Sequence, residues 1–228
     1  MSGLSEPSVQ TANHPLPIVV LISGSGSNLQ AIIDSTTKLE PAIDIRAVIS
    51  NNPQAYGLQR ATRNNIPCKV VDHRHYPDRK AYDAALQAVI DSYQPGLVVL
   101  AGFMRILTTD FVNQYAGRLM NIHPSLLPLY PGLNTHQRAI DNGDTEAGAT
   151  VHFVTPEVDG GPVIIQAHVP VLDTDSCEDL SSRVLEQEHQ IYPRAIQWFS
   201  QGRLTIDNGK VLLDGKSSPQ QQVFIDEN

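Results

Sequence analysis

Five short apolar runs, each followed by a turn or a helical stretch, limit what this chain can become. They are Pro17–Ser23 (PIVVLIS), Ile43–Ser50 (IDIRAVIS), Cys68–Asp72 (CKVVD), Leu97–Gly102 (LVVLAG) and Arg118–His123 (RLMNIH). Most are continuous and β-branched rather than alternating, the mark of strands buried on both faces. Between them, LQAIIDSTTK, AYGLQRATRNN and DRKAYDAALQAVIDSY carry helical spacing, and TTDFVNQYAG reads as a short helix with Thr109 as its N-cap. Strand–helix alternation predicts an α/β fold: a doubly wound, mostly parallel, Rossmann-like open sheet with helices on both faces. Further on, TEAGATVHFVTPEVDGGPVIIQAHVPV supplies two longer strands. A long helix follows from about Ser176 to Ser200, then a hairpin around Asn208-Gly209. The reading is a leader over 1–16, one domain over 17–214 divided near 115/116, and a loosely held polar tail over 215–228.

Ligands of such sheets bind beyond the carboxyl ends of the strands. Ser23–Asn28, Gly102–Leu107 and Asn121–Pro124 all follow strands, so they are expected along one edge, in one cleft.

In LISGSGSNLQAI, the glycines permit a tight turn, and the backbone N–H groups before the helix suit an anion. The loop does not continue as G-x-G-x-x-G, and no G-K-[ST] follows it, which favours a single phosphate over a pyrophosphate or triphosphate. An ordinary strand-to-helix turn is the competing reading.

Asn121 and His123 lie two apart on a strand, so they project from one side. Pro124, Pro128 and Pro131 stiffen the loop after the strand. An amide N–H and an imidazolium together can hold a developing oxyanion, and histidine can relay a proton. Asp159, in EVDGGP, is the candidate carboxylate partner, supporting the histidine or taking a proton through water. Satisfied groups at a strand end and a common D-G-G turn are the alternatives. No nucleophile elbow is present, and neither Cys68 nor Cys177 has an activating neighbourhood. Direct attack of one bound substrate on another is the simpler mechanism. His73 and His75 alternate but lack a third metal ligand, and they read as a solvated loop. Arg79 at a helix start, His136 and the strand residue His152 are weaker candidates.

Composition excludes several classes. Net charge is −8, against a nucleic-acid-coating protein. No apolar run approaches a membrane span. Two cysteines do not make a disulfide framework, and a reducing cytoplasm is expected.

VVLISGSGSNLQAII, VVLAGFMRIL, NIHPSLLPLYPG and VHFVTPEVDGGPVIIQ, in that order and spacing, closely resemble the phosphoribosylglycinamide formyltransferase family over about Pro17 to Asp214. The resemblance implies formyl transfer from 10-formyltetrahydrofolate to the amine of glycinamide ribonucleotide in purine biosynthesis, without metal. Both partners would be small molecules, with no nucleic acid or membrane, and the chain would act as a monomer or homodimer. It implies catalysis by Asn121, His123 and Asp159. Gly26, Ser27 and Asn28 would hold the substrate phosphate, and Glu188 its ribose end. Arg79, Met104, Arg105, Ile106, Leu107, Asn121, Thr155, Val158 and Asp159 would receive the folate. His152 matches a cleft histidine beside the reaction centre. Ser25 and Asn134 stand where some members carry Asn and His. Two alternatives share these features: another formyl-folate enzyme, including a hydrolase, and a non-catalytic nucleotide-binding module on the same fold.

Overall fold

The computed structural model of the chain describes residues 15–36 and 42–224. The expected leader therefore lies outside the described residues, apart from its last two positions. The main sheet has eight strands. In chain order they are β1 (Leu16–Ile22), β2 (Ile43–Ser50), β3 (Cys68–Val70), β4 (Leu97–Leu100), β5 (Leu119–His123), β6 (Glu146–Phe153), β7 (Val163–Pro170) and, after a separate hairpin, β10 (Gln222–Phe224). The hairpin pairs β8 (Leu204–Asp207) with β9 (Lys210–Leu213). Across the sheet the order is β10-β7-β6-β5-β4-β1-β2-β3. The first five strands are mutually parallel, and β6 is antiparallel to both β5 and β7.

Alternate residues of β1 serve two cores, which is why the run is apolar throughout. Ile18, Val20 and Ile22 face one side, with α1 (Ser27–Ser35), α2 (Tyr56–Arg63) and α6 (Cys177–Ser200). Val19 and Leu21 face the other, with α3 (Arg79–Asp91) and α4 (Thr109–Gln114). The remaining helix, α5 (Thr135–Asp141), packs beside α6 on the first face. Each fully buried Ile or Leu contributes roughly 1.5–3 kcal/mol of apolar burial, so the two cores together fix the sheet that carries the cleft.

Long helix α6 starts with a capping box, Ser176 and Asp179 each bonding the other's backbone N–H. In its middle, the buried Tyr192 hydroxyl lies within hydrogen-bonding distance of Leu100 O (2.9 Å) and Met120 O (3.1 Å), bridging β4 and β5. Burial pushes that phenol's pKa well up. Glu188, one turn earlier on the same helix, is thereby set against the carboxyl edge of the sheet.

Two expectations change. The N-cap of α4 is Thr108, whose hydroxyl accepts from Phe111 N, rather than Thr109. Either threonine satisfies the sequence rule, and the choice depends on where the preceding loop leaves the sheet. The tail is not all loosely held. Gln222–Phe224 extends the sheet alongside β7, and Phe224 stacks on His168 at 4.4 Å. A three-residue edge strand made by long-range pairing leaves little periodic signal. No helix among the described residues is long and apolar enough to cross a membrane.

Candidate active site

The carboxyl ends of β1, β4 and β5 are adjacent, and the three expected segments meet there. Ser23 N donates to Gly102 O (3.1 Å), and Met104 N donates to Ser23 Oγ (2.8 Å). Ser23 passes the bond on to Asn51 Oδ1 at 2.6 Å. One serine thus ties the glycine loop to the Met104 loop and to the end of β2.

At the glycine loop, Gly26 is left-handed (φ 70°) and stands at the N-cap of α1 with no side-chain cap. The N–H groups of Ser27 and Asn28 have no acceptor among the described residues, the usual state of a first turn open to an anion. Glycine is required there for more than φ. A Cβ on Gly26 would lie 2.6 Å from Gly57 Cα, because the start of α2 braces the loop. Arg60 Nε adds a bond to Ser25 O at 2.9 Å. Asn28 is buried and donates from Nδ2 to Glu188 Oε2 at 2.6 Å, while its Oδ1 is buried without a partner. Burial raises the Glu188 carboxyl pKa to about 7, against the lowering effect of the Asn28 bond.

The candidate reaction centre is assembled from side chains. Asn121 on β5 pairs in register with His152 on β6. His152 Nδ1 is 2.9 Å from the Phe153 carbonyl, an acceptor only, so Nδ1 carries the hydrogen. Burial lowers the pKa of His152, leaving the ring neutral with Nε2 bare. Asn121 Nδ2, at 3.2 Å, donates to that nitrogen. One N–H of the amide is thereby committed, and the second makes no hydrogen bond among the described residues.

His123 uses Nε2 to donate to Tyr130 O at 2.9 Å and turns Nδ1 toward Asp159 Oδ2 at 3.5 Å. Its side chain is only 7% exposed and that of Asp159 13%. Gly132 N donates to the same carboxylate oxygen at 2.9 Å. Asp159 Oδ1 is 3.9 Å from His152 Nε2 and accepts no hydrogen bond among the described residues. Asp159 holds a left-handed backbone, φ 52°, in the 155–161 turn. Gly161 presses that turn so closely on the Phe153 carbonyl that no side chain fits.

The proline segment does more than stiffen. Its Tyr130 carbonyl and Gly132 N–H join His123 to Asp159 from below. Ser125 Oγ donates to Leu129 O (2.6 Å) and Arg138 Nη1 to Pro131 O (2.7 Å), and Leu127 N donates to Thr150 Oγ1 on β6 (3.0 Å). These bonds brace the segment in addition to its proline rings.

Met104 (72% exposed), at the wall of the cavity beside the glycine loop, and Ile106, Leu129, Leu133 and Val158 expose apolar side chains. Arg105 lies over the Tyr82 ring at 5.1 Å, with its Nε buried and unpaired. Arg79 begins α3, the helix that carries Tyr82, and is exposed. Thr155 borders the Asp159 turn with one long bond, Oγ1 to Glu157 O at 3.5 Å. His136 is half-buried, its pKa lowered by burial and by the charge of His123. His73 and His75 join no group of three potential metal ligands among the described residues.

A family model described as formyl transferase matches residues 16–196, which span both ends of this cleft. The chain belongs to the formyl transferase family. Among its relatives, the phosphoribosylglycinamide formyltransferase of Escherichia coli (strain K12) is 54% identical over 210 residues, 92% of this chain and 99% of that protein. The solved structure of phosphoribosylglycinamide formyltransferase from Coxiella burnetii, in complex with CHES, superposes with a TM-score of 0.87 at 51% identity, covering 93% of this chain and all of that one. A formyltetrahydrofolate deformylase from Pseudomonas syringae pv. tomato also shares the fold, with a TM-score of 0.81 at 28% identity. It is matched over 88% of this chain and 66% of its own. With the family settled, the chain is a transferase.

Asn121, His123 and Asp159 converge, as do Gly26, Ser27, Asn28 and Glu188, and Met104 is bonded to the glycine loop through Ser23. Arg79 makes no hydrogen bond or ion pair with either group among the described residues and is exposed at the start of α3. Two features escaped sequence reasoning. Ser23 and Asn51 act as a polar link, for which a strand-end serine and asparagine give only a generic signal. His152 orients Asn121, which needed the β5–β6 register to be seen.

Proposed function

We propose that the chain transfers a formyl group from 10-formyltetrahydrofolate to the amine of glycinamide ribonucleotide, in purine biosynthesis. The observation that carries this reading is the pairing of two sites on one edge. An open ring of N–H groups at Ser27 and Asn28 fits a phosphate, and the Asn121–His123–Asp159 group beside it fits formyl transfer.

In this reading the phosphate caps α1, and the ribose reaches Glu188 and the unpaired Oδ1 of Asn28. The amine then points toward β5. Apolar Met104, Ile106, Leu107 and Val158 flank the folate ring, and Arg79 and Arg105 suit its acidic end. Holding both reactants in contact supplies much of the acceleration.

As the amine attacks, negative charge grows on the formyl oxygen. The free N–H of Asn121, held in place by His152, and the charged ring of His123 stabilise it. His123 Nδ1 lies 3.5 Å from Asp159 Oδ2, a long contact, so the N–H there is open to share with the formyl oxygen while the Tyr130 carbonyl keeps the ring aligned. Asp159 Oδ1, which carries no hydrogen bond among the described residues, is placed to receive the amine proton through a water. The C–N bond to the folate then breaks and the proton passes to the departing nitrogen.

The test is to mix the purified chain with 10-formyltetrahydrofolate and glycinamide ribonucleotide. Tetrahydrofolate is expected to form in step with formylated ribonucleotide, and only when the ribonucleotide is present. Formate release at the same rate without the ribonucleotide would overturn the transfer reading in favour of a hydrolase. No turnover of either kind would leave a binding module.

A further inference from the structure

The glycine loop shares a cavity of about 520 Å³ with a second wall formed by Asn51, His73 and Arg74. The sequence reads His73 and His75 as a solvated loop, and Arg74 lies between them. They follow β3, at the far edge of the sheet beyond β2, yet face the same space as Gly24–Asn28. The loop itself contains no cation. Its neighbour Arg60 is turned to Ser25 O and Gln30 Oε1.

Arg74 is held in an unusual way for an arginine 65% exposed. Its Nε lies 2.9 Å from Asp72 Oδ1, and its Nη2 2.6 Å from Asp72 Oδ2, a two-point fork on a carboxylate only 7% exposed. Asp72 Oδ1 also accepts the Arg74 backbone N–H at 3.0 Å. The guanidinium holds the Asp72 carboxyl well below the usual carboxylate range. One edge of the guanidinium is therefore fixed, and Nη1 makes no hydrogen bond among the described residues. A pre-set guanidinium loses little freedom when it meets an anion. Behind it, His73 Nδ1 contacts Asn51 O at 3.3 Å, and Asn51 is anchored by Ser23.

We propose that Arg74, positioned by Asp72, is the side-chain half of the phosphate site, facing the backbone half at Gly24–Asn28. This inference rests on the phosphorylated-acceptor reading above. The chemistry recognised is a phosphate monoester dianion, to which Arg74 contributes the positive charge that the loop lacks. Because Asp72 offsets part of that charge and solvent screens the rest, the effect is on binding and is moderate.

The experiment compares the full chain with Arg74→Gln and Arg74→Lys, using the ribonucleotide and its dephosphorylated riboside as acceptors. Arg74→Gln is expected to raise KM for the ribonucleotide about fivefold, an effect that shrinks as salt is added. The turnover number, the KM for the folate and the KM for the riboside stay within about twofold. Arg74→Lys recovers most of the loss at low salt. An unchanged ribonucleotide KM, or an equal rise for the riboside, would overturn the proposal. If the wild-type chain transfers formyl to neither acceptor, the parent reading fails by itself. Calorimetric titration with inorganic phosphate then decides this one: weaker binding by Arg74→Gln supports it, and equal binding contradicts it.

Discussion

In the proposed function the glycine loop and the reaction centre both present N–H groups to a negatively charged oxygen, but they are built from opposite materials. The loop uses the backbone of five consecutive residues, shaped by Gly26 and braced by α2. The reaction centre uses side chains from β5, from β6 and from the 155–161 turn, locked by bonds from the proline segment. The first should tolerate changes of side chain and fail when the backbone is changed. The second should keep its backbone through a substitution and lose its chemistry.

The largest effect is expected for Asn121→Asp. It removes the donor that His152 and the oxyanion both need, and it adds a negative charge where negative charge must grow. Turnover should fall on the order of a thousandfold in a transfer assay. A loss below about tenfold would remove Asn121 from the chemistry. Gly26→Ala comes next. The added methyl must adopt φ near 70° and press on Gly57 Cα. The ribonucleotide KM should rise at least about tenfold, with a stability loss of roughly 1–3 kcal/mol read by denaturant unfolding. An unchanged KM would mean that the loop does not hold the phosphate.

Glu188 tests the buried support beneath the glycine loop. Its folded pKa is about 7, above the ordinary carboxylate value because it is buried. The folded state therefore holds the proton more tightly than the unfolded chain. Stability from this group is fully present at low pH and is lost as pH rises toward 7, by up to about 3 kcal/mol. Glu188→Gln should melt higher than the parent at pH 8, with the advantage fading below pH 5. Equal melting curves across that range would show the carboxyl to be better solvated than its burial indicates. Ser25→Ala should do least, with a KM change under about threefold, since the loop's donors are mainly backbone N–H groups. A tenfold change would move the emphasis from backbone to hydroxyl.

The same contrast explains what could be read from the sequence. Runs such as PIVVLIS announce doubly buried strands by composition alone, and β1 does divide its residues between two cores. The glycine loop is contiguous, so its shape is written in five letters. Asn121 and His123 were legible because a strand's period is two. Their partner Asp159 lies 36 residues beyond His123 (159 − 123), and only turn chemistry marked it until the family resemblance was added. The role of His152 was not legible, since it depends on which residue of β6 lands opposite Asn121. Nor was the sheet position of Gln222–Phe224, a short stretch whose order comes from pairing with β7. Long-range register and side-chain assembly are what a local pattern does not carry.

The central claim is that Asn121, His123 and Asp159 act on the transition state, while the glycine loop and the Met104 loop hold the reactants. Single-turnover transfer by Asp159→Asn and His123→Asn, with both substrates saturating and each Kd measured separately, tests it most directly. The account expects the transfer rate to fall by about a hundredfold or more, with both Kd values within about threefold of the parent. Full-rate transfer by both variants, or a loss carried entirely by weaker binding, would contradict it.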